Sequence, residues 1–309
     1  MYHRFSQHPE HRRLHRSEFE RQLDVLHRQF RVVSLGEYGG WLAEGRPVPP
    51  RVAIITVDDG YRDFYEVAYP LLRERGLPAT LFVATDAVDH GAWLWPDRVE
   101  YVLDRTVSRH VVLEAQGYRM ELPVGDAAAK QPAWAAFVAH ALAVPNESRL
   151  EMLRQLEEAA GVAVPAEAAG GYRVCNWAEL RELASHGIEI GGHTRSHPVV
   201  SRLDPGQLDD EIAGCRARLA EKLGVAPNTF CYPNGMPGDV NAEARLAVQR
   251  AGYVCAVVAH SRYSRSVDRF LLERIAAGPS ERYFDEAVFG LDHARTWLGA
   301  RATMVQEST

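Results

Sequence analysis

Ile54-Ile55-Thr56-Val57-Asp58-Asp59-Gly60-Tyr61 is the stretch on which the reading of this chain turns. It opens as a run of β-branched and apolar residues, the pattern of a strand buried on both faces, and stops abruptly at two adjacent carboxylates and a glycine. Two like charges side by side raise each other's pKa unless a cation or a proton sits between them, so the pair points to metal binding or acid/base work. A solvated Asp-Asp-Gly turn is the competing reading. A second cluster far downstream decides between them.

That cluster is Ile188-Glu189-Ile190-Gly191-Gly192-His193-Thr194-Arg195-Ser196-His197-Pro198. Here too an apolar run stops at glycines. The two histidines follow at i and i+4, a spacing that on a helical turn puts both imidazoles on one side. Two neutral imidazoles and a carboxylate form a facial set suited to a divalent metal, with positions left over for water and substrate. Zinc is the expected ion for such ligands, with cobalt or nickel as replacements.

Together with Phe230-Cys231-Tyr232-Pro233-Asn234-Gly235, these motifs resemble the first three motifs of the polysaccharide deacetylases, the nodulation-type deacetylase homology domain of carbohydrate esterase family four. The resemblance runs from about Tyr2 to Ile275. It implies an α/β fold, a distorted (β/α) barrel of seven strands, with Asp58 as catalytic base and Asp59, His193 and His197 as metal ligands. It also implies an N-acetylated glycan or glycolipid as substrate, with Tyr61, Tyr232 and Pro233 beside it and the backbone N–H of Asn234 facing the oxyanion.

Two departures from the family pattern matter. Where relatives with an Arg-Pro-Pro-Tyr third motif hold the base with that arginine, this chain has Cys231, so another basic group is needed. Arg274, in Leu271-Leu272-Glu273-Arg274-Ile275, is the candidate, with a surface salt bridge as its alternative. The late Leu-x-His motif that supplies the general acid is also missing. Some relatives acting on poly-N-acetylglucosamine take the acid from a histidine after the first strand's tyrosine, which His3 in Tyr2-His3-Arg4 matches. By the same likeness the chain begins inside that first strand.

With 309 residues and 46% hydrophobic content the chain can build one large α/β domain. A formal charge of −6 and the lack of any dense Lys/Arg block argue against nucleic acid as a partner. No apolar run is long enough for a membrane span, and no signal-peptide core opens the sequence, so a cytoplasmic location is expected. Four scattered cysteines without a CxxC pattern argue against a zinc knuckle and a disulfide framework, and Cys231 and Cys255, in apolar strand-like runs, read as buried free thiols.

Along the chain, Ser17 and Glu20 have capping-box spacing ahead of a helix bearing Phe19, Leu23, Leu26 and Phe30. The polar stretch holding His8, His11 and His15 reads as solvated surface, with a metal patch as the alternative. A strand, a loop, a helix over 64–75 and a strand over 79–84 then put Asp58 and Asp59 at the carboxyl end of the sheet. From 86 to 173 the alternation breaks into helices and a hairpin around Ala115-Gln116-Gly117, an insertion packed on the barrel. Its Trp93 and Trp95 fit either sugar platforms or buried anchors. A terminal helix is expected over 284–298.

Three functions follow from this reading. The first is a metal-dependent N-deacetylase used in making a surface polysaccharide or glycolipid. The second is a cyclic amide hydrolase of the allantoinase type, and the third an inactive carbohydrate-binding relative.

Overall fold

The apolar runs form parallel strands because each is buried on both faces. Ala79–Val83 is wholly buried and pairs with Thr56–Val57 on one side and Ile188–Gly192 on the other. The sheet continues in parallel through Thr229–Cys231 to Cys255–Val257. The computed structural model describes residues 1–9, 12–115, 118–261, 267–278 and 280–290.

Single parallel bridges add Tyr2 beside Val57 at one edge and Leu272 beside Val257 at the other, so the five-stranded sheet becomes seven strand positions. The ring then closes on itself. The Met1 ammonium donates to Ile275 O at 2.9 Å, and Ala277 N–H donates to Met1 O at 2.9 Å. This is the distorted seven-stranded (β/α) barrel, and the closure removes the exposed edges that an open sheet would leave.

Helices pack outside the ring. The long helix Pro205–Leu223 starts with Asp204 as cap and Pro205 in its first turn. Three elements differ from expectation. The first helix, Arg16–Gln29, is capped by His15, whose ring nitrogen accepts from Ser17 N–H, so Ser17 lies inside the helix and His15 is a cap. His11, the middle member of that histidine group, lies outside the described residues. The segment after the Asp58-Asp59-Gly60 loop is a π turn over Phe64–Ala68 before the α-helix Tyr69–Glu74. Pro70 has no N–H to continue an α ladder there, and Tyr69 N–H reaches back to Phe64 O instead. Of the expected terminal helix, Glu281–Val288 is present, and 291–298 lies outside the described residues.

The insertion consists of helices Trp95–Arg105, Ala127–Ala143 and Asn146–Ala160 with an antiparallel hairpin, His110–Ala115 and Tyr118–Pro123. Gln116 and Gly117 of its expected turn lie outside the described residues. These elements enclose an apolar cluster of their own around Val99, Val111, Leu122, Phe137 and Leu156. Among the described residues no helix is long and apolar enough to cross a membrane.

Candidate active site

The site forms where the carboxyl ends of the barrel strands turn into loops. Asp59 follows Thr56–Val57 with φ 74°, and Gly60 with φ 71°. A Cβ at Gly60 would come within 2.7 Å of Val83 Cγ1, so the turn requires glycine for space as well as for its backbone angle. The histidines follow Ile188–Gly192, but not on a helical turn. Residues 193–197 are an irregular loop with Thr194 at φ 65° and His197 at φ 60°, and the Thr194 hydroxyl accepts the His197 N–H at 3.0 Å. The i, i+4 spacing brings the imidazoles together through this turn. Non-glycine residues in left-handed geometry on both loops are strain of the kind retained at functional sites.

Glu211, from the long helix, pins the same loop. Its carboxylate accepts the N–H groups of Arg195 at 2.8 Å and Ser196 at 2.9 Å and the Ser196 hydroxyl at 2.5 Å.

The loops bring the expected metal ligands together. Asp59 Oδ1 lies 3.4 Å from His193 Nε2 and 3.3 Å from His197 Nε2. The ligating atoms of the three all lie within 4.8 Å of one another. The other nitrogen of His193, Nδ1, is 2.7 Å from the backbone O of Cys231 and donates to it, which turns Nε2 inward toward Asp59. Two imidazoles and one carboxylate oriented this way fit a divalent ion.

Asp58, the other carboxylate, is clamped from behind. Arg274 Nη1 and Nη2 each donate to one of its oxygens at 2.7 Å. The same guanidinium donates to Thr56 Oγ1, Cys231 Sγ and the Val258 carbonyl, and both side chains are buried. Arg274 thus makes a buried bidentate pair and no surface salt bridge. His3 Nε2 is 3.6 Å from Asp58 Oδ2, and its side chain is 47% exposed.

The charges follow from these contacts. Burial, the largest influence on Asp58, would raise its carboxyl, but the Arg274 charge and hydrogen bonds override it and hold the group well below the usual range. Asp59 is likewise held low against burial, by hydrogen bonds from His193 and His197. Burial opposes charge on His193, yet Cys231 and Asp59 raise it well above the imidazole range, while burial lowers His197. Asp97 behaves in the opposite way. Burial, helped by Asp59 and Glu100, pushes its carboxyl up to about 7 despite Arg4.

A cavity of about 510 Å³ opens onto His3, Asp58, Asp59, His193, His197 and Asn234. Asn234 sits in it at φ 59°, with a side-chain Nδ2 that is buried and has no hydrogen-bond partner. Tyr61 also lines it, donating its hydroxyl to Asp97 at 2.8 Å beneath the Arg4 guanidinium.

Four expected substrate contacts lie elsewhere. Tyr232 is buried in an apolar cluster against Phe230, and Pro233 beside it is buried as well. Trp95 is a core anchor of the insertion. Trp93 donates its indole N–H to Pro165 O and packs on Tyr101 and Tyr172. In their place the cavity is walled by Arg12, Pro96, Asp97, Glu100, Trp134 and Tyr172. None of these six carries a motif, so the sequence offered no signal for them.

A parallel barrel with an Asp-His-His donor set and an arginine-clamped carboxylate at its strand ends is the frame of a metal-type hydrolase. The sequence pattern named "Polysaccharide deacetylase" matches residues 45–121 and 140–256, and the chain belongs to the polysaccharide deacetylase family, whose members hydrolyse N-acetyl amide bonds.

YxkH of Bacillus subtilis (strain 168) is 21% identical over 269 residues, covering 86% of this chain and 66% of that protein. YlxY of the same strain is 31% identical over 55 residues, 18% of this chain and 17% of its own. The chain therefore spans less than two thirds of the length of these curated relatives.

Among solved structures, IcaB from Ammonifex degensii is 18% identical, with a TM-score of 0.60 over 93% of each chain. The Streptococcus pyogenes deacetylase PplD, in complex with acetate, is 17% identical, with a TM-score of 0.59 over 91% of each. A de-N-acetylase from Aggregatibacter actinomycetemcomitans is 14% identical, with a TM-score of 0.53 over 92% of this chain and 97% of that one. At these identities the likeness is one of fold.

Proposed function

We propose that this chain is a metal-dependent hydrolase that removes N-acetyl groups from an amino-sugar-containing glycan or glycolipid destined for a surface polysaccharide. One observation carries the reading: a metal-type trio and a separately clamped, ionised carboxylate share one cavity. Zinc bound by Asp59, His193 and His197 would supply Lewis-acid activation of water and of the amide carbonyl.

The residues of the chain do the rest. Asp58, kept ionised and fixed by Arg274, accepts a proton from water as its oxygen bonds to the carbonyl carbon. The Asn234 backbone N–H, in its left-handed turn at the cavity, donates to the oxygen that gains charge. His3, 3.6 Å from Asp58, delivers a proton to the nitrogen as the C–N bond breaks, which yields acetate and an amine. Reconstituted with zinc, cobalt or nickel, the protein is expected to release acetate and fluorescamine-reactive amine from N-acetylglucosamine oligomers. Ring opening of allantoin or hydantoin in place of that release would overturn the reading in favour of a cyclic amide hydrolase.

A further inference from the structure

The wall of the cavity opposite the strand ends belongs to the insertion, and it has the features of a sugar-binding surface. Trp134 is half-buried and donates its indole N–H to Pro96 O at 3.0 Å, which fixes the plane of the ring. Tyr172 is held by ring contacts with Trp93 at 5.2 Å and Tyr101 at 6.3 Å. Rigid aromatic faces offer contact area to the C–H face of a pyranose at little entropic cost. Tyr61, Asp97 and Arg4 line the same cavity as a linked polar group suited to hydroxyls.

Arg12, from the N-terminal loop, spans the cavity to this wall. It donates to Glu100 at 2.7 Å and lies over the Trp134 ring at 4.6 Å from its centre. The Arg12 and Glu100 side chains are 30% and 28% exposed, so breaking their pair would open the rim at little cost to folding. A volume of about 510 Å³ lies in the range of small-molecule sites.

We propose that Trp134 and Tyr172 form the sugar-contacting face of the active site, and that the Arg12 bridge closes one side of it. The enzyme then takes a free or chain-terminal N-acetylated sugar and excludes internal residues of a long glycan. The chemistry rests on the hydrolase reading above, but the binding can be tested without it.

The test titrates the full, metal-loaded chain calorimetrically with N-acetylglucosamine and its di- to hexasaccharides, with acetate release followed in parallel. Affinity should be flat beyond the disaccharide. Trp134→Ala should weaken it by about tenfold, the scale of one aromatic contact, and Trp134→Phe should restore most of it. Arg12→Ala should make kcat/KM climb with chain length. Should Trp134→Ala not fold, Tyr172→Ala and Trp134→Phe carry the same comparison.

Wild-type affinity that rises more than about tenfold from di- to hexasaccharide would overturn the proposal. So would binding indifferent to both aromatics, or no binding of any oligomer. Binding without acetate release would sink the hydrolase reading and leave this one standing.

Discussion

Replacing Arg274 by glutamine should damage stability and turnover together, and the structure fixes how. The guanidinium gives five hydrogen bonds, two of them to Asp58, and both partners are buried. Removing one member of such a pair leaves a buried charge unpaired, at a cost of about 3–5 kcal/mol. For a chain of this size that is roughly a 10 °C fall in Tm.

The variant also changes the charge of Asp58. Arg274 is what overrides burial and keeps the carboxyl low. Without it only the smaller influences of His3 and His193 oppose burial, the carboxyl rises, and the base is protonated over part of the working pH range. Activity should therefore drop by on the order of 100-fold at neutral pH. The loss should shrink as pH increases, because a new acidic limb has appeared. In the wild type the sign is opposite: a depressed carboxyl contributes stability above its unfolded value, and that stability is lost only as the pH falls below about 4.

The assay is a double-mutant cycle by chemical denaturation with Asp58→Asn, alongside pH–rate profiles. Asp58→Asn with Arg274→Gln should recover part of the lost stability. A coupling energy below about 1 kcal/mol, or an Arg274→Gln profile with no acidic limb, would refute the reasoning.

The trio reading predicts that His193→Ala loses bound metal by elemental analysis, while Asp58→Asn keeps metal and loses turnover; a fully metallated His193→Ala refutes it. His3→Ala should cut kcat by about 100-fold at unchanged metal content and remove the basic limb of the pH–rate profile; an unaffected variant points to another proton source. Glu211→Gln, which keeps shape but weakens three hydrogen bonds to the His193–His197 loop, should lower zinc affinity by about tenfold and alter the visible spectrum of the cobalt form. An unchanged spectrum and affinity would show that the loop holds itself.

Asp97 gives the last prediction. Its carboxyl at about 7 lies above the ordinary 3.8, so the folded state binds the extra proton and loses stability as pH rises between those values, by roughly 4 kcal/mol at the limit. Asp97→Asn keeps an acceptor for Tyr61 and should be more stable than wild type at pH 8 but not at pH 5. Equal Tm differences at both pH values would refute this.

The proposed ligands and base were legible as candidates because they sit in contiguous motifs at the ends of buried strands, where apolar runs meet Asp58-Asp59-Gly60 and Gly192-His193. Arg274 was legible only as an answer to the missing arginine at Cys231. What the sequence could not supply was backbone geometry and partnership across distance. The i, i+4 spacing of His193 and His197 suits a helical turn as well as the loop that forms, and only Thr194 and His197 at positive φ distinguish the two. Asp58 and Arg274 are 216 residues apart, and Arg12 and Glu100 are 88 apart. Trp93 and Trp95 were as plausible at the cavity as Trp134, because a tryptophan's role depends on what packs against it.

Sequence by itself thus determined the candidate reactive groups and the strands that carry them, since short-range pattern and chemistry suffice for both. Which aromatics line the cavity, which helix pins the histidine loop and how the barrel closes through Met1 and Ile275 were decided by tertiary structure alone. Those contacts exist only once distant segments, each buried for its own reasons, are brought to the same place.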